Sequence, residues 1–215
     1  MSARFASVVL DVDSTVVNIE GVDWLAARRG PVLAAQVAAL TARAMAGELP
    51  LESVYSQRLD AIRPTRADVA ALADAYRAAV APGADTALAR VRAAGVVIQF
   101  VSGGLRDAII PMAAALGVGS ESVHAVAIRF DAHGNYAGTD MTSLLTMHHG
   151  KAEVVRELRL TAPVLAVGDG ATDAAMRPVV DAFAAFTGFV RREQVVAAAD
   201  YELASFDELA TLVLG

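Results

Sequence analysis

The sequence predicts an α/β fold: a Rossmann-like core built on a parallel sheet, with a small helical segment inserted after the first strand. Three observations lead there. Short runs of Val, Ile, Leu, Ala and Phe recur at Val8–Leu10, Val96–Val101, Val164–Val167 and Phe183–Phe186, and strands alternating with helices favour a parallel sheet. The first three runs stop at small polar or acidic residues, as buried strands do when they deliver a loop. Between the first and second runs the pattern is helical from Trp24 to Val80.

Val8-Val9-Leu10 is the first core strand and hands the chain to Asp11-Val12-Asp13-Ser14-Thr15. In the insert, apolar residues recur at helical spacing: Leu33, Val37 and Leu40, then Tyr55, Leu59 and Ile62, then Val69, Leu72 and Tyr76. Gly30-Pro31, Gly47 with Pro50, and Pro64-Thr65 punctuate these helices. After Pro82-Gly83 a helix leads to Val96–Val101, which is expected to stop at Ser102-Gly103-Gly104. Val123–Phe130 and the segment around Tyr136 flank the turn-forming stretch Asp131–Asn135 and read as a hairpin at a sheet edge. Val164–Val167 ends at Gly168-Asp169-Gly170, and Phe183–Phe186 is one further strand. The expected division is a core of residues 1–17 and 81–215 and a helical cap of residues 18–80.

With 55% hydrophobic and 20% charged residues the chain can bury a sizeable core. No apolar stretch reaches the ~18 residues needed to cross a bilayer, and no export signal is visible, so no membrane association is expected. The absence of cysteine excludes disulfides and thiolate chemistry and fits a cytoplasmic protein. A formal net charge of −6 argues against nucleic acid as a partner. Arg28-Arg29 and Arg191-Arg192 read as solvated helix faces, and His124, His133, His148 and His149 as turn or surface residues with no ligand spacing. No pattern bears on oligomeric state.

Three strand ends carry polar groups: Asp11 to Thr15, Ser102 to Gly104, and Gly168 to Asp173. In an open α/β sheet the ligand crevice lies beyond the carboxyl ends of the strands, so these loops are expected to form one site. Asp11, Asp13, Asp169 and Asp173 would bring four carboxylates to its rim. Such a cluster repels itself unless a cation joins it, and hard oxygen donors suit Mg²⁺. Each aspartate alone has a plainer use as a helix cap. Lys151, just after Gly150, would supply a fixed positive charge. Ser102 with two glycines offers a hydroxyl and unobstructed N–H groups to phosphoryl oxygens.

In this order and spacing, the Asp-x-Asp-Ser-Thr loop, Ser-Gly-Gly, Lys151 and Gly-Asp-Gly-Ala-Thr-Asp resemble the haloacid dehalogenase-like hydrolases over nearly the whole chain. Within that superfamily, Glu20, Arg43–Gly47, Gln57-Arg58-Leu59 and Phe186–Arg191 resemble the phosphoserine phosphatases. The resemblance implies hydrolysis of a small molecule, O-phosphoserine, in the last step of serine biosynthesis. Asp11 would be the nucleophile and Asp13 the general acid and base. Mg²⁺ would be held by Asp11, the Asp13 backbone carbonyl and Asp169, with Asp173 in support. Ser102, Gly103 and Lys151 would bind the phosphoryl group, Glu20 the ammonium and Arg58 the carboxylate. Met45 would line the pocket and Thr172 would contact substrate. The chain departs from the family at Val12 and Leu105, where aromatic residues are common, and at Ala46, often glycine.

Two other readings stay open on the residues. One is the same chemistry on another small phosphomonoester. The other is a phospho-accepting signalling module, which needs neither the acid Asp13 nor a helical insert.

Overall fold

The computed structural model describes residues 3–45, 48–49 and 51–215, without the side chains of Met45, Leu51, Glu52 and Ser53. Its strands are β1 (Ser7–Leu10), β2 (Val97–Leu105), β3 (Val123–Val126), β4 (Ile128–Phe130), β5 (Tyr136–Thr139), β6 (Val164–Gly168), β7 (Ala182–Phe186) and β8 (Tyr201–Leu203). Its helices are α1 (Gly21–Ala27), α2 (Pro31–Met45), α3 (Leu51–Ile62), α4 (Arg66–Ala78), α5 (Ala84–Ala93), α6 (Arg106–Ala115), α7 (Gly150–Leu158), α8 (Ala171–Ala174), α9 (Glu193–Ala197) and α10 (Phe206–Leu214).

Six strands form one sheet in the order β3-β2-β1-β6-β7-β8, and every pairing in it is parallel. Every residue of β1, β6 and β7 is buried, because helices cover both faces of a parallel sheet. That double cover explains why these strands read as unbroken apolar runs rather than alternating ones. The chain moves from β1 to β2 on one side and later to β6 on the other, so β1 sits where the strand order reverses. Such a switch point opens a crevice at the carboxyl ends of its strands.

Between β1 and β2 the inserted segment carries helices α1 to α4, and α5 then leads back into the sheet. Its entry and exit lie side by side, Val17 bridging Val80 in antiparallel fashion, with Asn18 N–H donating to Ala79 O and Ala81 N–H to Val16 O. Helix α4 begins with a capping box: the Thr65 side chain accepts from Asp68 N–H and the Asp68 carboxylate from Thr65 N–H. It packs against α6 of the sheet layer, while α2 packs on α1 and α3. Val37, Leu59, Ile62, Leu72 and Tyr76, spaced as one helical face each, are all buried.

The structure corrects three expectations. Strand β2 does not stop at Ser102 but runs through Leu105; its pairing with β3 slips between Val101 and Leu105, so the Ser-Gly-Gly segment bulges while staying extended. The segment Val123–Phe130 splits: β3 joins the edge of the main sheet, and β4 pairs with β5 as a separate antiparallel hairpin. His124 is therefore a half-buried strand residue bonded to Gln99, not a turn residue. Val12 and Leu105 are buried, so these departures from the family are changes of core volume, and Ala46 lies outside the described residues.

Candidate active site

Asp11 follows the last residue of β1, and its N–H still donates to Val167 O of β6 at 3.0 Å. The loop then turns tightly: Val12 O accepts the N–H groups of Thr15, Val16 and Val17 at 3.2, 2.9 and 3.0 Å. Ser14 is forced to φ +54°, a left-handed conformation costly for a side-chain-bearing residue. Its hydroxyl compensates by donating to Glu20 Oε1 at 2.6 Å. Asp13 is held twice, Oδ2 accepting from Gly21 N–H at 2.9 Å and Oδ1 from the Tyr76 hydroxyl at 2.6 Å. Position 21 must be glycine for both bonds to exist, because a Cβ there would lie 2.1 Å from the Tyr76 oxygen.

Lys151, second residue of α7, reaches Asp11 Oδ1 at 2.5 Å and Asp173 Oδ1 at 2.6 Å. Asp173 Oδ2 accepts from Gly170 N–H at 2.9 Å, so both oxygens of that carboxylate are engaged. Gly168 lets α8 press this close, since a Cβ on it would stand 2.2 Å from the Asp173 carboxyl carbon. Asp169 accepts from the Thr15 hydroxyl at 3.4 Å and is paired with Arg192 Nη1. Carboxylate oxygens of Asp11, Asp169 and Asp173, all buried, lie within 4.8 Å of one another. An all-oxygen, buried, anionic donor set of this kind fits a hard divalent cation. Asp11 and Asp173 share the Lys151 ammonium through one oxygen each, while Asp169 is held by Thr15 and Arg192.

Ser102 is buried and its Oγ accepts from Gly104 N–H at 2.9 Å, which leaves its own proton to donate into the cleft. Gly103 O accepts from the Tyr55 hydroxyl at 2.6 Å, tying α3 to the bulged end of β2. Arg58, on the next turn of α3, is buried; its guanidinium carbon lies 5.5 Å from the Tyr55 ring centroid and Nη1 donates to Thr41 Oγ1 at 2.9 Å. Its Nε is buried with no partner among the described residues.

Burial dominates the electrostatics. It pushes Asp11 up to about 7, with the Asp173 carboxylate adding to the rise and Lys151 opposing it. It pushes Asp13 up to about 6, against the hydrogen bonds from Tyr76 and Gly21. Glu20 rises to about 7, again from burial first and the Asp13 charge second. Burial lowers Arg58. Lys151 is the exception, for although burial opposes its charge, Asp11 and Asp173 hold its ammonium above the ordinary value. A carboxyl group near neutrality can both give and take a proton at working pH, which is what acid–base chemistry asks of it.

One cleft is lined by Asp11, Asp13, Glu20, Arg58, Ser102, Gly103, Lys151, Asp169 and Thr172. Asp173 sits just behind it through Lys151. Met45 ends α2 and its side chain lies outside the described residues. The Asp13 carboxylate turns toward Gly21 and Tyr76 rather than joining the other three. Sequence reasoning missed Tyr55, Tyr76 and Thr41, whose hydroxyls reach the site from helix faces that read as core. It also set Arg192 on a solvated face, whereas Arg192 pairs with the buried Asp169; Arg191 stays outside, paired with Glu193 and Glu202.

The haloacid dehalogenase-like hydrolase family model matches residues 8–178. Phosphoserine phosphatase of Mus musculus is 36% identical over 206 residues, spanning 94% of this chain and 91% of that protein. The chloroplastic phosphoserine phosphatase of Arabidopsis thaliana is 35% identical over 208 residues, spanning 94% of this chain and 70% of that protein. Among solved structures, a phosphoserine phosphohydrolase-like protein from Francisella tularensis superposes with a TM-score of 0.87 at 23% identity, covering 99% of both chains. A phospho-aspartyl intermediate analogue of phosphoserine phosphatase gives 0.81 at 22% identity, covering 97% of this chain and 98% of that one. Motif order, sheet topology and these matches agree: the chain belongs to the haloacid dehalogenase-like hydrolases.

Proposed function

We propose that this protein is a phosphoserine phosphatase, hydrolysing O-phosphoserine to serine and phosphate in the last step of serine biosynthesis. The observation that carries the reading is that Asp11, paired with Lys151, shares one cleft with a buried Glu20 and a buried Arg58 whose Nε has no partner among the described residues. A nucleophile and phosphate binders alone would serve many phosphomonoesters; an acid and a guanidinium in the same cleft suit an amino acid.

In this reading an Asp11 oxygen attacks phosphorus as the bond to the serine oxygen breaks, giving an aspartyl-phosphate. Asp13 donates a proton to the departing serine oxygen and then takes one from the water that opens the aspartyl-phosphate. Lys151, Ser102 and the Gly103 N–H hold the phosphoryl oxygens, where preorganised donors stabilise charge as it builds. Mg²⁺, held by Asp11, the Asp13 carbonyl and Asp169 with Asp173 in support, would neutralise the phosphoryl group and Asp11 as they approach. Glu20 pairs with the substrate ammonium and Arg58 with its carboxylate, a task for the planar fork of guanidinium. Thr172 contacts substrate, and Met45 lines the pocket.

Residues 18–80 would act as a cap over a core of residues 1–17 and 81–215. The paired entry and exit at Val17 and Val80 support that division, as does a cleft lined from both parts. The cysteine-free composition suits a cytoplasmic setting. Phosphate release measured on phosphoserine, a sugar phosphate and p-nitrophenyl phosphate, with and without Mg²⁺, tests the reading. Phosphoserine is expected to have the highest kcat/KM; if it is no better than the others, the substrate assignment is wrong. Arg58→Ala should raise KM for phosphoserine roughly tenfold or more, the worth of one charged hydrogen-bonding pair, while sparing p-nitrophenyl phosphate.

A further inference from the structure

The Arg58 guanidinium is a donor at every nitrogen, so Thr41 Oγ1, at 2.9 Å from Nη1, must accept from it. That fixes the direction of the hydroxyl proton, which Thr41 then donates to Asp23 Oδ1 at 2.6 Å; Val37 O, at 3.1 Å, is the weaker acceptor for the same proton. The result is a chain from α1 through α2 to α3: Asp23 holds Thr41, and Thr41 holds one terminal nitrogen of Arg58. The Tyr55 ring packs against the guanidinium, 5.5 Å from centroid to carbon. With Nη1 on Thr41, the buried Nε has no partner among the described residues. A buried unpaired donor costs free energy unless a ligand satisfies it, so its orientation, set by Thr41, selects what the cleft accepts.

We propose that Thr41, anchored by Asp23, is the positioning residue that aims the Arg58 fork at the carboxylate of the substrate, and so sets preference for amino-acid phosphates over phosphorylated amines. This rests on the phosphoserine reading above. Thr41 touches no reacting atom; its loss lets the guanidinium swing to other rotamers and leaves the phosphoryl chemistry at Asp11 unchanged.

The test compares phosphoserine with phosphoethanolamine, which keeps the ammonium and lacks the carboxylate. In Thr41→Val, isosteric but without the hydroxyl, KM for phosphoserine should rise roughly tenfold, the equivalent of one hydrogen bond to a charged group. Its kcat should stay within about twofold, and phosphoethanolamine kinetics should not move. Thr41→Ser, which keeps the hydroxyl, should restore most of the preference. Asp23→Ala removes the anchor without touching Thr41 and should raise the same KM about threefold, which keeps the idea testable if Thr41→Val does not fold. Equal losses on both substrates, or an undiminished phosphoserine preference in Thr41→Val and Asp23→Ala, would overturn the positioning role alone. A wild-type enzyme with no preference for phosphoserine over phosphoethanolamine would overturn the substrate assignment and the proposal together.

Discussion

At Asp13 two donors, the Gly21 N–H and the Tyr76 hydroxyl, occupy both carboxylate oxygens. They orient the group proposed to protonate the leaving serine oxygen, so Tyr76→Phe should lower kcat for phosphoserine about tenfold through misorientation. With p-nitrophenyl phosphate, whose phenolate leaves without a proton, the loss should be under about threefold; equal losses on the two esters would remove Tyr76 from leaving-group protonation. Asp11→Asn replaces the proposed nucleophile by an amide of the same shape, and phosphate release should fall by at least about 10³-fold with the far-UV spectrum unchanged. Turnover within tenfold of wild type would exclude Asp11 as nucleophile. Asp11 and Asp13 were legible in the sequence because Ser102, Lys151 and Asp169 accompany them at other strand ends; either aspartate alone could have been a helix cap. Tyr76 was not, since Val69, Leu72 and Tyr76 satisfy the spacing of a buried helix face whether or not the phenol has a task. Arg192 was hidden for the opposite reason: a basic pair reads as solvated until the fold brings a carboxylate beneath it.

Among the elements, α4 depends most visibly on local sequence. Thr65 and Asp68 cap it reciprocally, and Arg29 from the turn after α1 donates to Asp68 at 2.6 Å, joining both ends of the insert. Although burial opposes it, the Arg29 hydrogen bond and those from Thr65 hold the Asp68 carboxyl below the ordinary carboxylate range. A depressed value means that the folded state favours the ionised form. The stabilisation is therefore complete above the unfolded carboxylate value near pH 4 and is lost as pH falls below it. Asp68→Asn should cost about 1 kcal/mol at pH 7 in urea unfolding, a typical cap loss, and the gap to wild type should shrink between about pH 4 and pH 2. A gap independent of pH would mean that Asp68 acts through shape alone. Elements with strong signals, such as Val8–Leu10 and Val164–Val167, were legible because burial on both faces leaves an unbroken apolar run. β8 was not: Tyr201–Leu203 is three residues long, carries Glu202 and sits at the sheet edge, where pairing with β7 rather than composition makes it a strand. The overrun of β2 was equally illegible, since glycines that suggest a turn can also allow a bulge.

The molecule as a whole concentrates unlike costs around one cleft: the switch point of the sheet, three clustered buried carboxylates, a left-handed Ser14 and a buried Arg58 Nε with no partner among the described residues. The surrounding sheet, buried through β1, β6 and β7, is what keeps the cluster from relaxing. Lys151 and Arg192 offset part of the carboxylate repulsion, but each is tied to particular oxygens, and a divalent cation between Asp11 and Asp169 would lower what remains. Such an ion would bind the folded site and find no comparable site in the unfolded chain, so its binding would be folding free energy. EDTA should therefore abolish phosphate release reversibly and also lower Tm. Mg²⁺ at about one hundred times its Kd should raise unfolding stability by about 2.7 kcal/mol. Asp169→Asn, which weakens the donor set without touching Asp11, should cut the Mg²⁺-dependent rise in Tm while leaving the metal-free Tm equal or higher, because one buried charge has gone. A metal-free Tm that falls in Asp169→Asn, with the Mg²⁺ response intact, would instead make Asp169 a structural partner of Arg192 and place the cation elsewhere.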